Sequence, residues 1–219
     1  MTRAQQTFAV VAMTVVAVAV SMARAQEPSQ PAVVPVEQEP QHHPVFKNDV
    51  LAVIDVHFPP GYTSLFHRHS NDNVSVRIAT APTRTDTLTE TGAPQTAVVG
   101  RLVFNSASPP YVHRVANIGE TTIHIIDIEV LAKQPTRRAD VADELASHEV
   151  VVENDRVRLS RIVLAPGATL PAHRHPAGWL EVVVRGGEPG SYRWHDPGDR
   201  MPALAAGAEG REIAEIEIK

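Results

Sequence analysis

The stretch PGYTSLFHRHSNDN, residues 60–73, has a second version in the same chain, PGATLPAHRHPAGW, residues 166–179. Each version contains Pro-Gly, five residues and then His-Arg-His, and the two are separated by a constant offset of 106 residues. The pair Asn48-Asp49 recurs as Asn154-Asp155 at the same offset. Matches at one fixed offset indicate an internal repeat, so the chain is predicted to contain two copies of one structural unit.

The C-terminal ends of the two copies also match, but at an offset of 88 residues. IIDIEV, residues 125–130, resembles IAEIEI, residues 213–218. The second copy is therefore shorter by 18 residues, and the difference corresponds to the polar stretch APTRTDTLTETGAPQ, residues 81–95, which we expect to be a loop insertion. We call residues 42–131 the first repeat and residues 147–219 the second repeat, joined by a linker at 132–146 in which a short helix is expected at 140–146.

Each repeat is rich in segments that favour β-strands. Apolar, β-branched stretches cover residues 50–58, 74–79 and 121–130, and again 156–164, 180–186 and 211–218. Short strands separated by Pro and Gly turns, with little helical periodicity, are typical of an all-β sandwich or barrel. The fold class predicted is all-β, with the two His-Arg-His strands in two separate barrels.

The first 41 residues differ in kind from the repeats. Arg3, an apolar run at 8–20 and Ala23-Arg24-Ala25 follow the order of a secretory signal peptide, residues 1–25. The alternative is a membrane anchor, but the uncharged stretch of 17 residues is at the short limit for a span. Residues 26–41 contain repeated Pro, which predicts an extended, unpacked tether. We expect a periplasmic or secreted protein without a stable membrane anchor after cleavage.

Composition excludes some partners and some ligands. The net charge is −5 and no basic patch is present, so a nucleic acid partner is not expected. The chain has no cysteine. A metal site would therefore have to consist of His and carboxylate ligands.

The His-Arg-His pattern places two imidazoles on one face of a strand, because residues i and i+2 point the same way. His67 and His69 form one such pair, and His173 and His175 form the other. Two ligands are too few for a stable site, since metal centres in proteins use three or more. Each pair therefore needs a partner from elsewhere in its repeat.

The spacing of these residues resembles the two sequence motifs of the cupin superfamily. Its first motif is Gly, five residues, His-x-His, three or four residues and Glu, and its second is a turn followed by His, three residues and Asn. The first repeat matches with Gly61, His67 and His69, and later with His113 and Asn117 in PPYVHRVANIG, residues 109–119. The resemblance implies two tandem cupin domains, each a double-stranded β-helix or jelly-roll barrel, over nearly the whole mature chain.

The first repeat departs from the motif at its carboxylate. Ser75 stands where the second repeat has Glu181, and the nearest alternatives are Asp72 and Asn73. The resemblance thus implies that the working metal site consists of His67, His69 and His113. The open alternative is a vestigial histidine cluster that only lines a polar pocket.

The second repeat departs from the motif at its third histidine. His173, His175 and Glu181 match the first motif, with Glu181 one residue late, but Met201 stands where the first repeat has His113. We expect this weaker set to be structural, although two His and one carboxylate also suit an open Fe(II) site. The concrete expectation is one metal per chain, lost in His113→Ala and kept in His173→Ala.

The implied cofactor is a divalent transition metal, and imidazole ligands do not choose among Fe, Mn, Zn and Ni. For the function, the resemblance implies dioxygenase- or isomerase-type chemistry on a small molecule. The alternative is a non-catalytic ligand-binding or sensor protein with a vestigial site. The expected partner is a small-molecule ligand, with a second copy of the chain left open. His43 and His148, which begin the repeats, are expected to be structural.

Overall fold

The computed structural model describes residues 31–133 and 137–219, so the expected signal peptide lies outside the described residues. These ranges contain 18 strands, one 3₁₀ helix at Val36–Gln38 and no α-helix. Within the same ranges, no helix is long and apolar enough to cross a membrane. The expected all-β class is confirmed, whereas the helix expected at 140–146 in the linker is not formed.

Nine strands precede the linker and form two sheets. They are β1 (Val33–Pro35), β2 (His42–Lys47), β3 (Leu51–Phe58), β4 (Phe66–His69), β5 (Asp72–Ala79), β6 (Thr83–Asp86), β7 (Leu102–Asn105), β8 (Tyr111–Asn117) and β9 (Ile123–Val130). A five-stranded sheet has the order β2-β3-β9-β5-β7, and a four-stranded sheet has the order β1-β4-β8-β6. The strands expected at 50–58, 74–79 and 121–130 are β3, β5 and β9.

The second repeat reproduces this plan with shorter strands. They are β10 (Glu149–Glu153), β11 (Val157–Leu164), β12 (Thr169–Leu170), β13 (His173–Arg174), β14 (Trp179–Arg185), β15 (Tyr192–His195), β16 (Arg200–Met201), β17 (Leu204–Ala205) and β18 (Arg211–Ile218). A five-stranded sheet has the order β10-β11-β18-β14-β15, and β12-β17 and β13-β16 form two small sheets. The two His-Arg-His stretches thus lie in different sheets, β4 in one and β13 in another.

The central strands of each five-stranded sheet, such as β9 and β18, are buried on both faces. In β9, Ile126 and Ile128 join a core cluster that also contains Leu180 and Ile216 of the second repeat. This largest core therefore lies between the two repeats. The opposite faces of the sheets cover a smaller core inside each repeat.

The alternation along the last strand of each repeat decides where its carboxylates point. In β9, Asp127 and Glu129 lie on the face opposite to Ile126 and Ile128, and both are buried. In β18, Glu215 and Glu217 have the same placement, at the offset of 88 found in the sequence. Both repeats thus direct two carboxylates from their last strand into their own interior.

Two expectations for the first repeat are wrong. The segment before residue 42 is not an unpacked tether over residues 31–41, because β1 pairs in parallel with β4 and Val36 is buried in the interior core. Residues 26–30 of the expected tether lie outside the described residues. The insertion at 81–95 is not all loop, because it contains β6, which pairs with β8.

Candidate metal centres

The first candidate centre brings together the three histidines that the resemblance selected. His67 and His69 are buried on β4, and His113 lies opposite His67 in the antiparallel pairing of β4 with β8. Each residue offers one ring nitrogen, and these three nitrogens lie within 4.8 Å of one another. The strand pairing itself creates this cluster, since a direct cross-strand pair brings two side chains into contact.

Hydrogen bonds orient two of these rings. His67 Nδ1 lies 3.0 Å from the carbonyl oxygen of Leu65, and His69 Nδ1 lies 2.7 Å from Oε1 of Glu129. In each case the Nδ1–H donates to the oxygen, which leaves the Nε2 lone pair free. Such bonds fix the tautomer of metal-binding histidines.

The protonation of the cluster also suits a cation. Burial, and then the neighbouring His42, lower the pKa of His67 to about 4. Burial, together with His67, lowers the pKa of His113 well below its ordinary value. For His69, burial lowers the pKa, but the hydrogen bond to Glu129 and the negative charges of Asp127 and Glu129 together outweigh it and raise the pKa. Two of the three imidazoles are therefore neutral at neutral pH and have lone pairs available.

A small cavity of about 70 Å³ adjoins the three rings. Its lining includes Arg77 and Asp127, and Oδ1 of Asp127 is buried without a hydrogen-bond partner in the described part of the chain. Oxygen atoms of Asp127 and Glu129 also lie within 4.8 Å of a nitrogen of His69. Asp127 is therefore the carboxylate that borders this cluster, and the motif comparison missed it because it lies on β9 rather than β5.

The three residues considered as substitutes for the missing Glu make other contacts and are not ligands of the cluster. Asp72 binds Arg156 of the second repeat at 3.0 Å. The Asn73 amide nitrogen lies 2.8 Å from Nδ1 of His69, on the side of the ring that also faces Glu129. Ser75 lines the cavity beside Asp127, with which it pairs across β5 and β9.

The second repeat keeps the scaffold but changes the third histidine. Met201 lies opposite His173 in the pairing of β13 with β16, the position that His113 occupies opposite His67. The interior nevertheless gathers a full set of candidate ligands. They are His148, His173, His175 and Glu215, with one ligand atom from each within 4.8 Å of the others.

Glu181, the expected carboxylate of the second repeat, does not belong to this set. Its Oε2 lies 3.4 Å from Nε2 of His195. Glu215, its cross-strand neighbour on β18, reaches the histidines instead. His148 was expected to match His43, but its true counterpart is His42, at the offset of 106, and the exposed His43 has no part in the interior.

Charge interactions in the second set differ from those in the first. Burial lowers the pKa of His173 and of His175, but hydrogen bonds to Glu215 and its negative charge, with smaller contributions from other neighbours, together raise both above their ordinary values. Burial also opposes ionisation of Glu215, yet hydrogen bonds from the imidazoles, His148 first, hold the pKa of its carboxyl well below the usual range. The set therefore holds a negative charge that needs cations around it.

Comparisons with known proteins identify the fold. No protein-family model matches the chain, and no curated protein sequence is significantly similar to it. AerE from Microcystis aeruginosa is 9% identical, with coverage of 83% of this chain and 98% of its own and a TM-score of 0.55. The oxalate decarboxylase of Lactobacillus farciminis, solved as a formate complex, is 12% identical, with coverage of 78% and 77% and a TM-score of 0.51.

A cupin domain from Bordetella pertussis is 28% identical over 43% of this chain and 98% of its own, with a TM-score of 0.38. The similarities that span most of both chains have low identity, so they bear on the fold and not on the reaction. Together with the observed sheets, they confirm the cupin fold that the motif resemblance implied.

Proposed function

We propose that this chain, which has the fold of the cupin superfamily, binds one divalent transition metal through His67, His69 and His113 and acts on a small molecule there. Dioxygenase- or isomerase-type chemistry is the reaction class that we infer. The observation that carries the proposal is the convergence of three imidazoles from β4 and β8, the buried His67 and His69 and the half-buried His113. The histidine clusters fit a metal ion.

The donor set supports this proposal on chemical grounds. The rings of His67 and His69 have Nδ1 engaged and Nε2 free, which is the arrangement that imidazole ligands need. A bound Fe, Mn, Zn or Ni ion would supply Lewis acidity, and three protein ligands leave positions for water, dioxygen or an organic ligand.

The charged residues that line the cavity beside the histidines would bind the small-molecule ligand. Arg77 and Asp127 line the cavity with opposite charges. Burial raises the pKa of Asp127, so its carboxyl is suited to hold or release a proton beside the open positions. A small polar molecule with both donor and acceptor groups fits this lining best.

The size of the cavity favours one alternative, a non-catalytic metal-binding or sensor protein. A space of about 70 Å³ holds about two water molecules, at about 30 Å³ each. Dioxygen fits such a space, whereas an organic substrate needs it to widen. A protein that senses the metal or a small ligand has no such requirement.

Metal analysis and oxygen uptake separate the two functions. The mature protein, purified without chelator, should contain metal that is lost in His113→Ala and kept in His43→Ala, an exposed histidine outside the cluster. Oxygen consumption with a panel of small hydroxy- and keto-acids, or for an isomerase their conversion without oxygen uptake, should follow the metal. Metal content unchanged in His113→Ala would overturn the centre, and a loaded protein inert toward every substrate would favour the sensor.

We also propose export, which rests on the sequence of residues 1–25 alone. The mature protein should begin at Gln26 and be found in the periplasm or the medium. N-terminal sequencing of the protein from a bacterial host tests this, and Met1 retained in a membrane fraction would contradict it.

A further inference from the structure

We propose that the second repeat contains its own metal centre, a closed structural one, with His148, His173, His175 and Glu215 as its four ligands. This goes beyond the proposed function, which concerns the first repeat. It also replaces the expectation that the chain binds a single metal. The ligands differ from those of the motif, because His148 and Glu215 take the places expected for a third motif histidine and for Glu181.

The distances around Glu215 carry the proposal. His148 Nε2 lies 2.6 Å from Oε2 of Glu215, His175 Nε2 lies 3.0 Å from the same oxygen, and His173 Nε2 lies 3.0 Å from Oε1. Two ligands at the tetrahedral angle around an ion with bonds of about 2.1 Å lie about 3.4 Å apart. The three contacts to Glu215 are somewhat shorter than that, so the side chains need to move apart only slightly to admit an ion.

The outer nitrogens of two rings show which atoms face the centre. His173 Nδ1 lies 3.1 Å from the carbonyl oxygen of Pro171, and His175 Nδ1 lies 3.1 Å from Oδ1 of Asp143. Each Nδ1–H donates outward, so the atom of each ring that faces the Glu215 carboxylate is Nε2, which either carries a proton or presents a lone pair. Lone pairs that face a carboxylate repel each other unless positive charge lies between them. A divalent cation supplies that charge to all four groups at once.

The surroundings indicate a structural centre. The four ligand side chains are 1% to 4% exposed, and the ring of Trp179 packs 4.9 Å from that of His175. Trp179 occupies the position of Asn73 at the offset of 106. Structural sites are closed with four protein ligands, whereas catalytic sites keep a position open. A surface groove of about 280 Å³ that includes His148 and His173 in its lining gives the ion access.

The centre would also join distant parts of the repeat. His148 immediately precedes β10, His173 lies on β13 and Glu215 lies on β18. A metal that binds the folded repeat and not the unfolded chain stabilises the fold. The competing explanation is a set of ion pairs held by protons alone, which needs no metal.

The experiment counts metals per chain by elemental analysis in the wild type and in matched variants. Glu215→Gln and His148→Gln should each contain one equivalent fewer than the wild type. Glu181→Gln, a change at the cross-strand neighbour of Glu215, should keep the full count. Chelation should lower the Tm of the wild type, and the shift should be smaller in Glu215→Gln. The His113→Ala variant removes only the metal of the first repeat, so failure of the two centres can be told apart.

A second measurement does not depend on whether the Glu215 and His148 variants fold. The chelated His113→Ala protein, titrated with Co(II), should develop the intense visible absorption of a four-coordinate site at one equivalent. Absence of that band, or unchanged metal content in both Glu215→Gln and His148→Gln, would overturn the proposal and leave the proton-held cluster. Loss of the metal in Glu181→Gln but not in Glu215→Gln would overturn it in favour of the motif ligands.

Discussion

The interiors of the two repeats differ although their histidine-bearing strands pair in equivalent ways. His113 lies opposite His67 in the first repeat, and Met201 lies opposite His173 in the second. The third imidazole of the second repeat comes from His148 instead. Its counterpart, His42, is held by a hydrogen bond of 2.7 Å to Glu39. The scaffold thus fixes where side chains meet, but either of two positions can supply the third ring.

The carboxylates and the packing around them differ in the same way. Asp127 and Glu215 occupy equivalent places, and the extra methylene lets Glu215 reach three imidazoles, while Oδ1 of Asp127 has no partner among the described residues. Asn73 in the first repeat leaves a cavity beside the histidines, whereas Trp179 fills the equivalent position. The first cluster borders a small cavity, whereas an indole ring packs against the second cluster, and this difference is the basis for giving them different roles.

The largest expected effect concerns the core that the repeats share. A fragment of residues 31–131 would expose Val74, Val76, Ile126 and Ile128, all of which are at most 1% exposed in the whole chain. Since such a face is unfavourable in water, the fragment should aggregate or remain unfolded. Circular dichroism and urea unfolding of the fragment, with the intact chain as control, test this. A monomeric fragment with a cooperative transition would show that the repeats are independent.

The next effect tests the filled interior. Trp179→Ala should lower the free energy of unfolding by about 3–5 kcal/mol, the range for a buried aromatic residue, because Trp179 is 0% exposed. Trp179→Phe should cost less, since the indole Nε1 has no hydrogen-bond partner in the described chain.

The matched change in the first repeat is Asn73→Ala, which removes hydrogen bonds from Tyr111 and Asn105. Its cost should be about 1–3 kcal/mol, the range for polar groups left unpaired. Urea denaturation at neutral pH compares the variants. Equal losses for Trp179→Ala and Asn73→Ala would contradict the contrast between a filled and an open interior.

The sequence predicted the strands and the first cluster, and particular residues show why it went no further. Period-two alternation and the repeat were enough to place His67, His69 and the equivalent pair. Glu215 was missed because the motif assigned the carboxylate to Glu181. The two offsets between equivalent positions of the repeats were nevertheless known. Applied to His42 and Asp127, they lead directly to His148 and Glu215.

The segment before the first repeat shows a different limit. Four prolines in residues 26–41 indicated an extended chain, and Val33–Pro35 is indeed extended. Pairing with β4 and burial of Val36 depend on an open strand edge and an apolar space formed by residues far along the chain. Local composition contains no information about either.

A smaller effect concerns the carboxylates that accept hydrogen bonds from the outer nitrogens of the two clusters. Glu129 binds Nδ1 of His69, and Asp143 binds Nδ1 of His175. Such outer partners contribute about 10- to 100-fold in metal affinity. Glu129→Gln should weaken the first centre by that factor and Asp143→Asn the second, as measured by competition with a chelator. Glu217→Gln serves as control, because Glu217 is equivalent to Glu129 but lies 4.0 Å from His175. If Glu217→Gln weakens the second centre as much as Asp143→Asn does, the assignment of the outer partner is wrong.

The smallest effect is an acid sensitivity of the first repeat, which alone contains β6. Hydrogen bonds from Arg84 and then Arg114 lower the pKa of Asp86, against the effect of burial. A lowered folded pKa means that these ion pairs stabilise the protein above the ordinary carboxyl range and are lost as the pH falls from about 4 through the lowered value. Asp86→Asn should cost on the order of 1 kcal/mol at pH 7 and make unfolding less dependent on pH in the acid range.

Asp140→Asn is the control, because its pair with Arg138 is exposed and should contribute little. Urea unfolding between pH 7 and pH 3 measures both, and a pH dependence in Asp86→Asn as steep as that of the wild type would place the acid-sensitive groups elsewhere.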